Sequence, residues 1–442
     1  MEGLTYKQVN DAIINTLAPP RKFYFAIVGF FGLLFALGMS VWFYMIINGL
    51  GVAGIRHPVM WGVFITNFVF WVGIAHSGTL ISAILYLFRA EWRMSIYRSA
   101  EAMTVFAVAT AGMYPLIHLG RVWVAYWTLP IPNEMLLWPN FKSPLIMDVI
   151  AISTYLTVSA SFFLIGLIPD IAAVREKATG IRKKIYTILS FGWHGTNEQW
   201  RHYGRAYLFF AALATPLVIS VHSVVSWDFA LSIVPGWHST IFAPYFVAGA
   251  IHSGLALVIT LLIPLRKIFK VENIITIKNF ESMAKVILLT GLIVGYAYAI
   301  EYFLAWYSGN PYELAIFKWR ASGDYAPAFW TMVICNSIVP LLFFFKKFRT
   351  SIVGLLVVSI LINVGMWFER YVIIVTSLAH EFLPAAWGNY SPTWVEIVIS
   401  LGSWGFFLML FFLFAKFLPS ISITEVKEIL PTPKRKGSNN EH

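Results

Sequence analysis

The chain has 442 residues, 59% of them apolar and only 12% charged, against roughly 25% charged in ordinary soluble domains. That composition excludes a soluble enzyme and calls for an integral membrane protein. The net charge of +11 would suit nucleic acid, but the basic residues fall on alternate loops, so no nucleic-acid partner is expected and the charge reads as membrane topology, with membrane lipid as its partner.

In chain order, residues 1–20 offer a short interfacial helix. Apolar stretches of about 20 residues, enough to cross a hydrocarbon core, begin near Phe23, Pro58, Ile96, Pro144, Arg205, His238, Ser282, Tyr325, Thr350 and Thr393. They make ten spans of an all-α integral membrane protein. Lys7, Arg21 and Lys22 precede the first, and no small-residue cleavage site follows it, so it is expected to be a retained helix. Segments 1–22, 89–98, 170–205, 266–285, 346–350 and 416–442 hold all of the 32 Lys and Arg except Arg56, Arg121, Lys142, Lys318, Arg320 and Arg370. This positive-inside pattern puts both termini in the cytoplasm. The loop from Arg121 to Ser143, rich in Trp and Pro, suits an interfacial lid, and the polar end from Pro431 is expected to be disordered.

Two phrases repeat: "GIAHSGTLISAIL" from Gly73 and "GAIHSGLALVITL" from Gly249, at an offset of 176. At an offset of 183, Gly112 falls over Gly295, His118 over Glu301 and Pro144 over Pro327. Spans 2–5 and 6–9 therefore read as two four-helix bundles in a parallel repeat, flanked by spans 1 and 10. The expected divisions are a cytoplasmic segment (1–22), flanking helix 1 (23–57), and a first bundle begun by spans 2–4 with their basic connector (58–204) and completed by span 5 (205–237). A second bundle (238–376), an outer loop with flanking helix 10 (377–418) and a polar cytoplasmic tail (419–442) follow.

An ionisable side chain at the centre of a span costs about 2.5–3.5 kcal/mol on insertion scales, so it needs a partner, water or a task. His118 lies about 30 Å along span 3, near the outer surface, and Asp148 lies one turn below the same surface on span 4. Such a pair would take two protons from a hydroxylated ring while its electrons leave elsewhere, with His118 as first acceptor and Asp148 orienting it and carrying the second. Tyr114 and Arg121, four before and three after His118, would flank the cleft, and Trp123, Tyr126, Trp127 and Trp138 would wall it for a flat ring. The same pair would equally serve to bridge two helices. His76 and His252 sit mid-membrane beside small residues, which suits either close packing or a proton path. Glu369 and Arg370 are neighbours on a helix, so each is expected to pair across to another span. His222, Asp228 and Glu301 approach the outer side of the second bundle, as a degenerate copy of the first site or a proton exit.

The phrases "NFVFWVGIAHSGTLISAILYLFRAEWR", "IHLGRVWVAYW", "WPNFKSPLIMDVIAISTY" and "VISVHSVVSWDFALSIVPGWHSTIFAPYFVAGAIHSG" closely resemble the NrfD/polysulfide-reductase membrane-subunit family, and within it the quinol-binding ActC subunits of alternative complex III. The likeness runs from about Arg21 to Pro419. It implies a quinol site at the outer face of the first bundle, with the family's histidine and aspartate falling on His118 and Asp148. It also implies quinol (menaquinol or ubiquinol) as the bound group, no haem or metal in this chain, and a bacterial inner-membrane location. The implied partners are an iron–sulfur subunit, multihaem cytochromes c, a second NrfD-like membrane subunit and, at the end of the chain, a periplasmic carrier or terminal oxidase.

The single cysteine, Cys335, separately excludes a disulfide framework, an iron–sulfur cluster, a cysteine zinc site and a CxxCH haem attachment. Two alternatives are weaker. A haem-binding cytochrome b-like protein would rely on His238 and His252, 14 residues apart, with only His222 opposite. A proton or solute transporter would need broken helices and mid-depth polar cavities.

Overall fold

A computed structural model of the chain describes residues 4–20, 22–129, 131–132, 140–428 and 430. Among them there is no β-strand, and ten helices are long and apolar enough to span a membrane. These are Lys22–Asn48 (span 1), Gly62–Leu87 (span 2), Tyr97–Leu119 (span 3), Pro144–Lys177 (span 4), Asn197–Ala230 (span 5), Phe242–Phe269 (span 6), Ile277–Tyr307 (span 7), Ala326–Phe344 (span 8), Ile352–Ala379 (span 9) and Trp394–Phe417 (span 10). Only a helix satisfies its own backbone in hydrocarbon, which is why apolar runs of this length fold this way. Their even number puts both chain ends on one side.

Spans 2 to 5 pack as one bundle and 6 to 9 as a second, joined through spans 2 and 6. A Cβ on Gly254 would come 2.2 Å from Ser77 Oγ, so the glycine of one H-S-G phrase receives the serine of the other. The repeat thus supplies the joint between its own copies. Spans 1 and 10 pair outside the bundles and cross backbone to backbone: a Cβ on Gly38 would meet Gly402 Cα at 2.7 Å. Span 10 also lies against span 3.

The basic, inner side is tied together by the two ends of the chain. The amphipathic helix Tyr6–Thr16, started by a Thr5–Gln8 capping box, receives Lys427 Nζ on Asn10 Oδ1 at 2.8 Å and Lys416 Nζ on the Thr16 carbonyl at 2.8 Å. The segment from 419 is not a free polar tail at its start. Ser420, Ile421, Ile423 and Val426 are buried, and the short helix Ile423–Glu428 docks under the first bundle, because Ile423 and Val426, three apart on one helical face, have a core to enter. Residues 431–442, expected to be disordered, lie outside the described residues.

Candidate functional site

Three titratable side chains lie at the outer ends of spans 3, 4 and 5, and of these only Asp148 and Asp228 are brought together. Span 3 carries His118 in its last turn, one turn past Pro115, which lacks the N–H that would close the helix there. Gly120, at φ +68, ends the helix, a left-handed conformation that a Cβ would strain, and the space around it is filled by Leu50. Span 4 starts on Pro144 at its first turn, which sets Asp148 one turn inside. Span 5, packed on span 4, brings Asp228 to its own last turn, where the Asp148 and Asp228 carboxyls lie within hydrogen-bonding reach of each other.

These groups are short of partners. His118 Nδ1, Asp148 Oδ1 and Asp228 Oδ1 are buried without a hydrogen bond, and among the described residues none of the three side chains joins an ion pair. No hydrogen bond links His118 to Asp148; the partner of Asp148 is Asp228. Two carboxyls so placed in an apolar setting repel each other when both are ionised. Asp228, expected to approach the outer side of the second bundle, lies instead beside Asp148 in the first, the bundle to which span 5 belongs.

The other expected site residues scatter. Tyr114 is fully buried, and its hydroxyl donates to Ser403 Oγ on span 10 at 2.8 Å, so it faces the flanking helices. Arg121 is exposed, Trp123 is 65% exposed, and Tyr126 is half-buried in the short helical turn Val122–Thr128. Trp138 lies outside the described residues.

A second polar assembly occupies the joint between the bundles. The His76 and His222 rings lie 4.5 Å apart, and His76 stacks on Tyr155 at 5.2 Å. His76 Nδ1 lies 2.6 Å from the Val72 carbonyl, while neither nitrogen of His222 has a partner. Glu369 and Arg370 do bond to each other, contrary to the expectation from their helical positions. Both side chains are long enough to turn back in a site where each is the nearest opposite charge. Glu369 also accepts from the Tyr298 hydroxyl, Arg370 lies 4.7 Å over the Phe246 ring, and Asn336 donates to Tyr298 Oη at 2.9 Å. Glu301, Tyr298 and Arg320 line one water-sized void of about 10 Å³, and Glu301 also lines an outer cavity of about 300 Å³ with Glu313 and His238. His252 stands apart, with Nδ1 3.0 Å from Thr290 Oγ1 on span 7. His238 is exposed and precedes span 6, so it does not share a helix face with His252. Among the described residues no group of three His, Cys, Asp or Glu is arranged for a metal ion.

Residues 51–380 match the family of the polysulphide reductase NrfD. The chain belongs to that family. The match covers spans 2 to 9 and leaves spans 1 and 10 outside it. A putative membrane subunit of the dimethyl sulfoxide reductase of Halobacterium salinarum is 25% identical over 85% of this chain and 86% of its own length. A subunit of the selenate reductase of Mesobacillus selenatarsenatis is 23% identical over 90% of this chain and 94% of its own. Both relatives are named as subunits of reductases, which makes this NrfD-family chain similar to the membrane parts of redox complexes.

Proposed function

We propose that the chain is the quinol-oxidising membrane subunit of a multi-subunit oxidoreductase in a bacterial inner membrane, working at the outer end of the first bundle. The observation that carries this reading is the set of three buried polar atoms without partners, on His118, Asp148 and Asp228. Hydroquinone oxidation releases two protons and two electrons. His118 Nδ1 takes one proton as a neutral imidazole. The Asp148–Asp228 couple takes the second. Both acceptors sit within about a turn of the outer surface, so the protons leave on that side. Electrons pass to an iron–sulfur partner, and beyond it either to multihaem cytochromes, as the resemblance to alternative complex III implies, or to a reductase module, as the relatives' names favour. The chemistry proposed for this chain is the same in both. His118→Ala and Asp148→Asn should abolish quinol-dependent reduction of the partner in a complex that still assembles; normal turnover in both variants removes the site.

A second activity has its own observation. The outer cavity at Glu301, the water-sized void, Tyr298, the Glu369–Arg370 pair and the His222–His76–Tyr155 stack follow one another through the joint between the bundles. Such a series suits proton translocation coupled to quinol oxidation. In sealed vesicles, more than two protons should appear outside per quinol, falling to two in Glu369→Gln.

A further inference from the structure

Span 10 packs on spans 1 and 3, and span 9 on spans 6 and 8. Between spans 9 and 10 runs a groove of about 490 Å³ whose floor is spans 2 and 6. Its rim residues Ile360, Val364, Ile397 and Leu401 are 41 to 50% exposed, so it opens sideways into the bilayer. At its outer end it continues, through Trp367, Phe368 and Pro392, into a cavity of about 560 Å³ that reaches Asp324 and Asn389.

The wall combines aromatic rings with a hydrogen-bonded amide belt. Phe70, Trp367, Phe368 and Trp404 supply the rings. Trp367 Nε1 donates to Asn67 Oδ1 at 2.8 Å, and Asn67 Nδ2 donates to Ser400 Oγ at 2.7 Å. Asn363 breaks the pattern. Its Nδ2 donates to the Ser359 carbonyl at 2.9 Å, but its Oδ1 is buried with no partner, on a residue only 9% exposed that lines the groove. An acceptor left unsatisfied in hydrocarbon is costly, and an acyl chain has no donor to offer it. A partner helix is too thick: at a diameter of about 10 Å, a volume of this size would hold only about four helical residues. What fits is a slender chain bearing a planar ring with a hydroxyl.

We infer that this groove is a second binding site for an isoprenoid hydroquinone, with a ring hydroxyl donating to Asn363 Oδ1 and the ring among the four aromatic side chains. It shares no residue with the His118 site and stands even if quinol is oxidised elsewhere. The acceptor needs a donor, so the reduced form is preferred; a quinone, which only accepts, gains nothing from Asn363.

The test uses the purified complex in phosphatidylcholine nanodiscs and an azido-benzohydroquinone with a decyl tail. Photolabelling should mark residues 352–371 or 394–417, and excess unlabelled hydroquinone should compete at least tenfold better than the matching quinone. Asn363→Leu should lower this labelling at least tenfold, and Val364→Trp, which fills the groove from its lipid-facing rim, should do the same without touching the amide. His118→Ala should leave it intact, which separates this site from the proposed catalytic one. Labelling that survives both groove substitutions, or that phosphatidylethanolamine displaces as well as hydroquinone does, overturns the inference; so does loss of labelling in His118→Ala.

Discussion

The two ends of the first bundle use the same residue types to opposite ends. At the inner end, Arg98 donates to Glu101 at 3.0 Å, to Asp170 at 3.2 Å, to the Gly166 carbonyl at 2.6 Å and to Tyr97 at 3.0 Å. The other oxygen of Asp170 accepts the N–H groups of Ile423 and Thr424 at 3.1 Å, and Arg93 lies 2.6 Å from Glu425. At the outer end, Asp148 is buried and His118 and Asp228 are half-buried, and among the described residues none of the three joins an ion pair. Burying charge in a bundle is costly either way, and only the inner end offsets that cost with partners. The contrast is between an end whose charges satisfy one another and an end whose buried polar atoms are left without partners.

The largest effect should come from breaking the paired end. Arg98→Leu leaves Glu101 and Asp170 buried without their cation, a loss of about 3–5 kcal/mol, and should abolish assembly or lower the thermal midpoint of the detergent-solubilised complex steeply. Asp228→Asn, at the other end, should leave that midpoint within a few degrees and cut quinol turnover about a hundredfold, equal to about 2.7 kcal/mol of barrier. If Asp228→Asn instead destabilises as Arg98→Leu does, the unpaired end is structural after all.

A smaller effect concerns pH. Glu425 lies outside the spans, and its carboxyl is held above its usual value of 4.5 because it is buried, with Arg93 pulling the other way. A carboxyl raised in the folded state binds its proton more tightly there than when released. Docking of the helix Ile423–Glu428 is therefore tightest below the ordinary value and weakens as pH rises above 4.5 toward the raised one. Hydrogen-exchange protection factors over residues 420–428, corrected for the intrinsic rise of exchange with pH, should fall across that interval in the wild type and change less in Glu425→Gln.

How much of this can be read in the sequence follows from the range of the interactions. The spans and the repeated H-S-G phrases are local patterns and are legible, whereas the contact of Gly254 with Ser77 that joins the two phrases is a tertiary one the repeat does not announce. The depth of His118 and Asp148 comes from counting residues along helices. The span that carries Asp228 already falls in the first bundle by the division of the chain, but its pairing with Asp148 depends on how span 5 leans on span 4, which no local pattern encodes. Glu369 and Arg370 are misread because helix geometry places Cα atoms, not the ends of long side chains in a site with no other counter-ion. The docking of "ISITEV" is hidden by a polar stretch just beyond it. The spacing of Ile423 and Val426, three apart as on one helical face, is the signal that could have revealed it.

Tyr114 gives the smallest effect and the sharpest contrast. Its position four residues before His118 suggests a wall of the quinol cleft, yet its hydroxyl donates to Ser403, which also receives Trp71 Nε1 at 3.2 Å. Both partners lie on the side of the flanking spans, and span 10 lies outside the family match. Ser403→Ala should therefore strand a buried hydroxyl and cost about 1 kcal/mol, seen as a small drop in thermal midpoint, with kcat and KM for quinol unchanged. Tyr114→Phe removes the donor and should cost no more than that. A tenfold rise in KM in Tyr114→Phe but not in Ser403→Ala would mean that the ring swings back to meet quinol beside His118, and the boundary between the site and the helix pair that braces it would have to move.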